Sequence, residues 1–322
     1  MIYLNERDIE GIGIDWPALA GLIGEAVAAY AAGECAQPIK PYLKYGDESN
    51  RIIAMPAFVS RPVRAAGLKW IASFPGNIEN GLPRANSVTI LNDPDTGIPV
   101  AMVQGSLISA IRTAAVSGAL LRKLVADRKQ PLRVGLIGMG PIGRMHVHML
   151  NGLLGGRISG ISVFDRRDVE VKEWLKGVPA VIPVVKAASW QEAYRGADVV
   201  FTCTAAPERY IDEPAKPDAI LMHVSLRDYQ LEALANVGTI IVDSWEEICR
   251  ADTDTERLHV HAGLQADDTL TLADALTLPP EQIIRPSGPT LFTPMGLAIF
   301  DVAVAAHYAA AAERLGVGLR LE

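Results

Sequence analysis

Cysteine is scarce in this 322-residue chain: Cys35, Cys203 and Cys249 lie far apart and form no CxxC pair. An odd number of distant thiols excludes a disulfide framework and suits a reducing compartment, so a cytoplasmic location is expected. Positive charge is not in excess either. With 30 Lys and Arg against 37 Asp and Glu, the formal net charge is -7. General binding to nucleic acid or to a membrane surface needs a cationic excess, so neither partner is expected. Long apolar runs are missing: the most apolar helical stretch near the end, Leu297 to Ala312, is broken by Asp301 and His307 and falls short of a membrane span. Glu6, Asp8 and Glu10 stand where a secretory signal would carry basic and then apolar residues, so no signal peptide is expected. Repeats and low-complexity tracts are absent too, while apolar residues make up 49% and charged residues 21%, the balance of a folded globular chain.

The length favours two domains. Asp15-Trp16-Pro17 marks a helix start, and the Ala-rich helix should run to about Gly33. Strand-like runs follow at Arg51 to Met55, Ala66 to Ser73, Ser87 to Leu91 and Ile98 to Val103. The last two flank Asn92-Asp93-Pro94-Asp95-Thr96-Gly97, dense in turn formers, and read as a hairpin. A helix with apolar residues at helical spacing follows from Ser106 to about Arg128. From Pro131 the texture changes: short buried-strand patterns alternate with helix-length segments, which implies a parallel sheet with right-handed crossovers. The expected fold is α/β. It combines a doubly wound Rossmann domain for a dinucleotide, over residues 119–295, with a mixed α+β domain for substrate and dimerisation, over residues 1–118 joined by a C-terminal helix in 296–322.

Gly138-Met139-Gly140-Pro141-Ile142-Gly143 fits GxGxxG. The pattern gains weight from its context, because it follows the strand Arg133 to Ile137 and opens an apolar helix. A second strand then ends at Phe164-Asp165, roughly 20 residues beyond the last glycine. Gly138 allows the tight turn, Gly140 lets the backbone approach a pyrophosphate, and Gly143 lets helix pack on strand. Pro141 and Ile142 open the helix whose amides face the phosphates. Asp165 is suited to the adenosine ribose hydroxyls, which favours NAD, although Arg166 and Arg167 would tolerate the extra phosphate of NADP. Thr202-Cys203-Thr204 closes a later strand at the ligand-facing end, with Cys203 read as a small buried thiol rather than a nucleophile.

The acidic balance hides a cationic first domain, punctuated by Lys40, Lys44, Arg51, Lys69, Arg84 and Arg112. Lys69 sits in the apolar strand Gly67-Leu68-Lys69-Trp70-Ile71, where a charge is costly unless paired or functional. As a set these cations suggest a pocket for a substrate with several carboxylates, and Lys69 and Arg112, as pocket cations, should be dispensable for folding. Oxidising an amine also needs an acid or base, and Lys69 and Asp228 are the candidates. Asp228 has a second reading, as the cap of a helix over Tyr229 to Ala235. His146 and His148, two apart on a helix, point away from each other, and His259 and His261 read as neighbours on a strand face. Neither pair has the companions a metal site needs, and no metal is expected.

Taken together, Gly67-Leu68-Lys69, the Leu91 to Gly97 hairpin, Arg112-Thr113-Ala114-Ala115, the GxGxxG turn and Met295-Gly296-Leu297-Ala298 resemble the ornithine cyclodeaminase and mu-crystallin superfamily. The segments Gln37 to Leu43, Arg51 to Pro56 and Ser106 to Ser109 look like its branch of 2,3-diaminopropionate-forming dehydrogenases from siderophore and peptide-antibiotic pathways. That resemblance implies NAD-dependent oxidation of N-(2-amino-2-carboxyethyl)-L-glutamate, imine hydrolysis to 2-oxoglutarate and L-2,3-diaminopropionate, and a homodimer. It implies substrate contacts at Lys40, Arg51, Met55, Lys69 and Arg112, and cofactor contacts at Arg112, Thr113, Asp165, Arg166, Cys203, Thr204, Ser225, Met295 and Gly296. Ser225-Leu226-Arg227-Asp228-Tyr229 stands where cyclodeaminases carry a glycine-rich stretch, a departure that speaks against ring closure. Alanine dehydrogenase, imine reductase and a ligand-binding protein of the mu-crystallin kind are the other readings.

Overall fold

The computed structural model describes residues 1–47, 49–168, 170–178, 182–285 and 287–322. They divide into two units, Met1–Val116 with Gly296–Glu322, and Ser117–Met295.

The first unit begins with strand β1 (Ile2–Leu4) and helix α1 (Glu6–Ile12), where Asn5 and Asp8 make a reciprocal capping box that the sequence reading overlooked. Helix α2 (Trp16–Ala31) starts where Asp15 accepts the amide of Ala18, with Pro17 in its first turn. Short β2 (Tyr42–Leu43) leads to β3 (Arg51–Val59), β4 (Ala65–Ser73), β5 (Ala85–Asn92) and β6 (Pro99–Gln104), which pair antiparallel in succession. β1 joins the edge of β6 in parallel, and a last strand, Leu319–Arg320, closes on β1. Helix Ala298–Leu315 packs on this sheet, and its residues Ala298 to Ala305 are buried on every side, Phe300, Val302, Val304 and Ala305 fully. Burying such side chains stabilises the unit by about 1.5 to 3 kcal/mol each before entropy is subtracted.

In the second unit, which α3 (Gly105–Leu124) enters at Ser117, eight strands form one wholly parallel sheet. In chain order they are β7 (Leu132–Ile137), β8 (Ile158–Phe164), β9 (Val184–Lys186), β10 (Val199–Thr202), β11 (Ile220–His223), β12 (Thr239–Val242), β13 (Thr269–Thr271) and β14 (Thr290–Thr293). β7 is central, with β8 and β9 on one side and β10, β11, β14, β12 and β13 on the other. The order therefore reverses beside β7, the place where doubly wound sheets open a crevice for ligands. All four residues of β10, β11, β12 and β14 are buried apart from no more than small residual exposure, as strands covered on both faces require.

Two local expectations fail. His259 and His261 lie on a helix, Asp254–Ala262, which Thr253 caps and left-handed Gly263 ends, so they do not share a strand face. Residues after Asp228 form no α-helix: Tyr229 bridges to Ile211, and only a 3-10 turn, Leu231–Leu234, follows behind Gln230. Asp228 is therefore no helix cap. No single helix among the described residues is long and apolar enough to cross a membrane.

Candidate active site

In the second unit the glycine turn is built by contacts that no side chain would survive. Gly138 has φ +97°, and a Cβ there would lie 2.5 Å from the carbonyl oxygen of Cys203 at the end of β10. One at Gly143 would lie 2.0 Å from the oxygen of Gly138, so helix α4 (Pro141–Leu154) can approach β7 this closely only with glycine. Gly140 differs: a Cβ would meet nothing within 4 Å, which leaves open space above the first turn of α4. That turn has no side-chain cap, and Pro141 and Ile142 begin it, so its amides are free to face an anion. The turn fits a dinucleotide pyrophosphate.

Asp165, just after β8, accepts the amide of Met139 at 2.8 Å and the amide of Arg167 at 2.9 Å. Burial opposes its ionisation, but these bonds and the Arg167 guanidinium outweigh it and hold the carboxyl below the usual range. Arg167 rather than exposed Arg166 pairs with it. Beyond β10, half-buried Cys203 sits 3.9 Å from His146, and burial pushes its thiol well up, so it is no nucleophile. Burial also lowers His146 to about 4, which keeps that ring neutral between Ile142 and Ser117.

Asp228 is fully buried and accepts hydrogen bonds from the hydroxyls of Thr204 and Ser225. His223 Nδ1 lies 3.5 Å away, while its Nε2 is 2.8 Å from Asp254, which in turn receives Arg209 and the amides of Asp228 and Tyr229. Thr204, Ser225 and Asp228 are thus brought together, held from behind by the buried His223 and Asp254. Met295, at the far end of the unit, is fixed by its amide to Asp243 at 2.9 Å.

The first unit gathers the cations around one carboxylate that the sequence reading missed. Lys69 pairs in register with Met55 and Thr89, and its Nζ donates to Ser109 at 2.7 Å and to Asp301 at 2.8 Å. Arg112 Nε donates to the same Asp301 oxygen at 2.9 Å, and the other oxygen is buried without a hydrogen-bond partner. Lys69 is 1% exposed, and burial lowers it to about 8 against the raising effect of Asp301. Burial acts on Asp301 in the opposite sense, but Arg112 and Lys69 prevail and lower its carboxyl. Lys40 is buried close by and adds to the positive field on both groups. Met55 is buried in the same row, Thr113 bonds back to the carbonyl of Ser109, and Gly296 leaves room for Arg112, which a Cβ there would meet at 2.5 Å. Arg51 lies at the start of β3 over the Tyr42 ring and, among the described residues, makes no ion pair with Asp301.

This corrects the expectation that Lys69 and Arg112 are dispensable for folding, since both neutralise a buried carboxylate. A signal for Asp301 existed. A lone Asp within Ala298-Ile299-Phe300-Asp301-Val302-Ala303 needs a buried partner by the same reasoning that singled out Lys69.

A parallel sheet with its switch point at a glycine turn in one unit, and a cluster of cations in the other, belong to a nucleotide-binding oxidoreductase. The model of the ornithine cyclodeaminase/mu-crystallin family matches residues 6–224. The chain belongs to the ornithine cyclodeaminase/mu-crystallin family. It is 30% identical to the N-((2S)-2-amino-2-carboxyethyl)-L-glutamate dehydrogenase of Staphylococcus aureus, over 100% of this chain and 98% of that protein. A Delta(1)-pyrroline-2-carboxylate reductase of Bacillus cereus is 26% identical over 92% of each. Among solved structures, an archaeal alanine dehydrogenase dimer with bound NAD is 25% identical and superposes with a TM-score of 0.83, over 100% of this chain and 99% of that one.

Proposed function

We propose that this chain oxidises N-(2-amino-2-carboxyethyl)-L-glutamate with NAD and hydrolyses the product imine, releasing L-2,3-diaminopropionate and 2-oxoglutarate. The chain is an NAD-dependent oxidoreductase of the amino-acid CH–NH class. The observation that carries the substrate reading is an excess of positive charge: Lys69, cationic below about pH 8, and Arg112 share the single buried carboxylate Asp301, so two cations face one anion and charge remains for a substrate carboxylate. The full-length likeness to the Staphylococcus aureus dehydrogenase supports the same reading. The product suits siderophore or peptide-antibiotic assembly, and the protein acts as a cytoplasmic homodimer.

The residues divide the work by chemistry. Gly138, Gly140 and Gly143 with the first turn of α4 hold the pyrophosphate, and Asp165 holds the ribose; Thr204 and Ser225 line the same end of the sheet. When bound, NAD supplies a hydride acceptor. Arg112, fixed through Nε by Asp301, turns its remaining donors to the substrate carboxylate. Lys69, neutral above about 8, takes the proton of the substrate amine at Nζ and passes protons during hydration of the imine. Asp228 orients water through the hydroxyls it holds. The balance is one water consumed and one hydride and one proton released per turnover.

Product analysis tests the proposal. Incubation of the purified protein with NAD and N-(2-amino-2-carboxyethyl)-L-glutamate should yield NADH, 2-oxoglutarate and diaminopropionate in equal amounts. Conversion of ornithine to proline, or turnover only of alanine or a cyclic imine, replaces it with another activity of the family. Tight NAD(P)H binding without turnover of any of these leaves a ligand-binding protein.

A further inference from the structure

Among the described residues, two positions other than glycine have left-handed backbone, Leu226 at φ +69° and Asp252 at φ +50°. A branched side chain at such a φ crowds its own backbone, so the conformation persists only where neighbouring bonds impose it. The stretch Ser225-Leu226-Arg227-Asp228-Tyr229 holds no glycine that would adopt it freely, so the constraint must come from outside. It comes from Asp254, fully buried at the start of the helix Asp254–Ala262. The amide of Asp254 donates to the carbonyl of Leu226 at 2.9 Å, and its Oδ2 accepts the amides of Asp228 and Tyr229, each at 2.9 Å. Its Oδ1 accepts Arg209 Nε at 2.5 Å, and the same guanidinium donates to the carbonyl of Asp252. From the turn itself, Arg227 donates to the carbonyl of Ala251. Segments that follow β10, β11 and β12 are therefore tied together around one carboxylate.

The same carboxylate fixes a ring. Burial opposes the ionisation of Asp254, but His223, the Tyr229 amide and Arg209 outweigh it and hold the carboxyl below its usual range. An ionised carboxylate only accepts, so His223 Nε2, 2.8 Å from Oδ2, carries the hydrogen of that bond. The ring so held turns Nδ1 to the Thr202 hydroxyl at 2.8 Å and toward Asp228 at 3.5 Å. Asp254 thus acts on Asp228 twice, through the backbone that carries it and through the ring beside it.

We propose that Asp254 is a positioning residue for the hydrolytic half of the reaction: it imposes the left-handed turn at Leu226 and so sets the Asp228 carboxylate for the water that attacks the imine carbon. The proposal rests on the reading that Asp228 orients that water.

Rapid mixing of Asp254→Asn with NAD and N-(2-amino-2-carboxyethyl)-L-glutamate is the kinetic test. The substitution keeps the shape of the side chain and exchanges one accepting oxygen for a donor. NADH should form in a burst equivalent to the protein sites, followed by release of 2-oxoglutarate slowed on the order of 100-fold, the effect of a misplacement of about 1 Å. A merely structural lesion slows hydride transfer as well and gives no burst. Melting temperatures supply a readout free of substrate. Leu226→Ala and Leu226→Gly both lose the buried side chain, but only glycine relaxes at this φ, so the glycine variant should melt higher by about 2 °C or more, the reverse of their order in ordinary backbone. In the Asp254→Asn background that advantage should vanish, because the unbraced turn lets alanine leave the left-handed region. Wild-type hydrolysis in Asp254→Asn, slowing without a burst, or a glycine advantage that is absent from the start or survives Asp254→Asn overturns the proposal. Inertness of the wild type toward N-(2-amino-2-carboxyethyl)-L-glutamate would defeat the substrate reading alone, and the melting comparison would still decide whether Asp254 imposes the turn.

Discussion

The two units make their sites in opposite ways. In the second, the site is written in backbone: three glycines within six residues shape a turn whose amides are free to face an anion, and at Gly138 and Gly143 any side chain would clash with backbone. In the first, it is written in side chains drawn from β4, α3 and the C-terminal helix, with Lys69 and Asp301 separated by 232 residues in the chain. A backbone site tolerates no added atoms; a side-chain site tolerates no unbalanced charge. The difference predicts distinct failures when each is perturbed.

The largest effect belongs to Asp301. Asp301→Asn leaves Lys69 and Arg112 adjacent without their carboxylate, and breaking a buried ion pair from one side costs about 3 to 5 kcal/mol, to be read by urea denaturation. The same substitution removes the charge that raises Lys69 and should drive that amine lower still. A variant as stable as wild type would mean that the buried pairs contribute no more than surface ones.

Next comes Arg112→Ala. Losing a charge-assisted substrate contact costs about 2 to 5 kcal/mol in the transition state, roughly 30-fold or more in kcat/KM. NAD affinity, measured by fluorescence titration, serves as the contrast. A loss confined to KM with kcat unchanged would assign Arg112 to ground-state binding alone.

Gly143→Ala is the matching lesion in the second unit. The new methyl would meet the oxygen of Gly138 at 2.0 Å, so α4 must shift, at about 1 to 3 kcal/mol of overpacking. The movement should weaken NAD binding while leaving the melting of an Arg112→Ala background additive, since the two sites share no partners. Wild-type NAD affinity in this variant would dissolve the distinction between backbone and side-chain sites.

The smallest effect is a profile. Lys69 is lowered from 10.5 to about 8, so its neutral form appears above that value and kcat/KM for amine oxidation should rise with pH and level off beyond it. The stability sign follows from the same values. Between about 8 and 10.5 the unfolded chain binds more protons at this group than the folded one, so its contribution makes the protein more stable as pH rises through that window. A flat activity profile from pH 7 to 10 would remove Lys69 as the proton carrier.

Local constraints carried the parts of the fold that were legible in the residues. The GxGxxG turn, the acid after β8 and the capping Asp15 each act within a few neighbours, so sequence shows them directly. β14 is hard to read in the residues because its four positions stand between Pro289 and Pro294, a composition that suggests a loop, although burial on both faces of the sheet makes it a strand. The histidine pair went wrong for a related reason. Two residues at spacing two fit a strand, and only the cap at Thr253 with Gly263 ten residues on selects the helix.

By itself, the sequence determined that this chain folds as α/β around a dinucleotide turn, because hydrophobic period, capping and glycine sterics operate over a few residues. Tertiary structure alone decided what the cations face. Whether a buried lysine is a free pocket charge or half of an ion pair depends on which carboxylate the fold brings to within 3 Å, here Asp301 on a helix at the opposite end of the chain. Coulomb energy depends on distance in space and burial, and separation along the chain constrains neither.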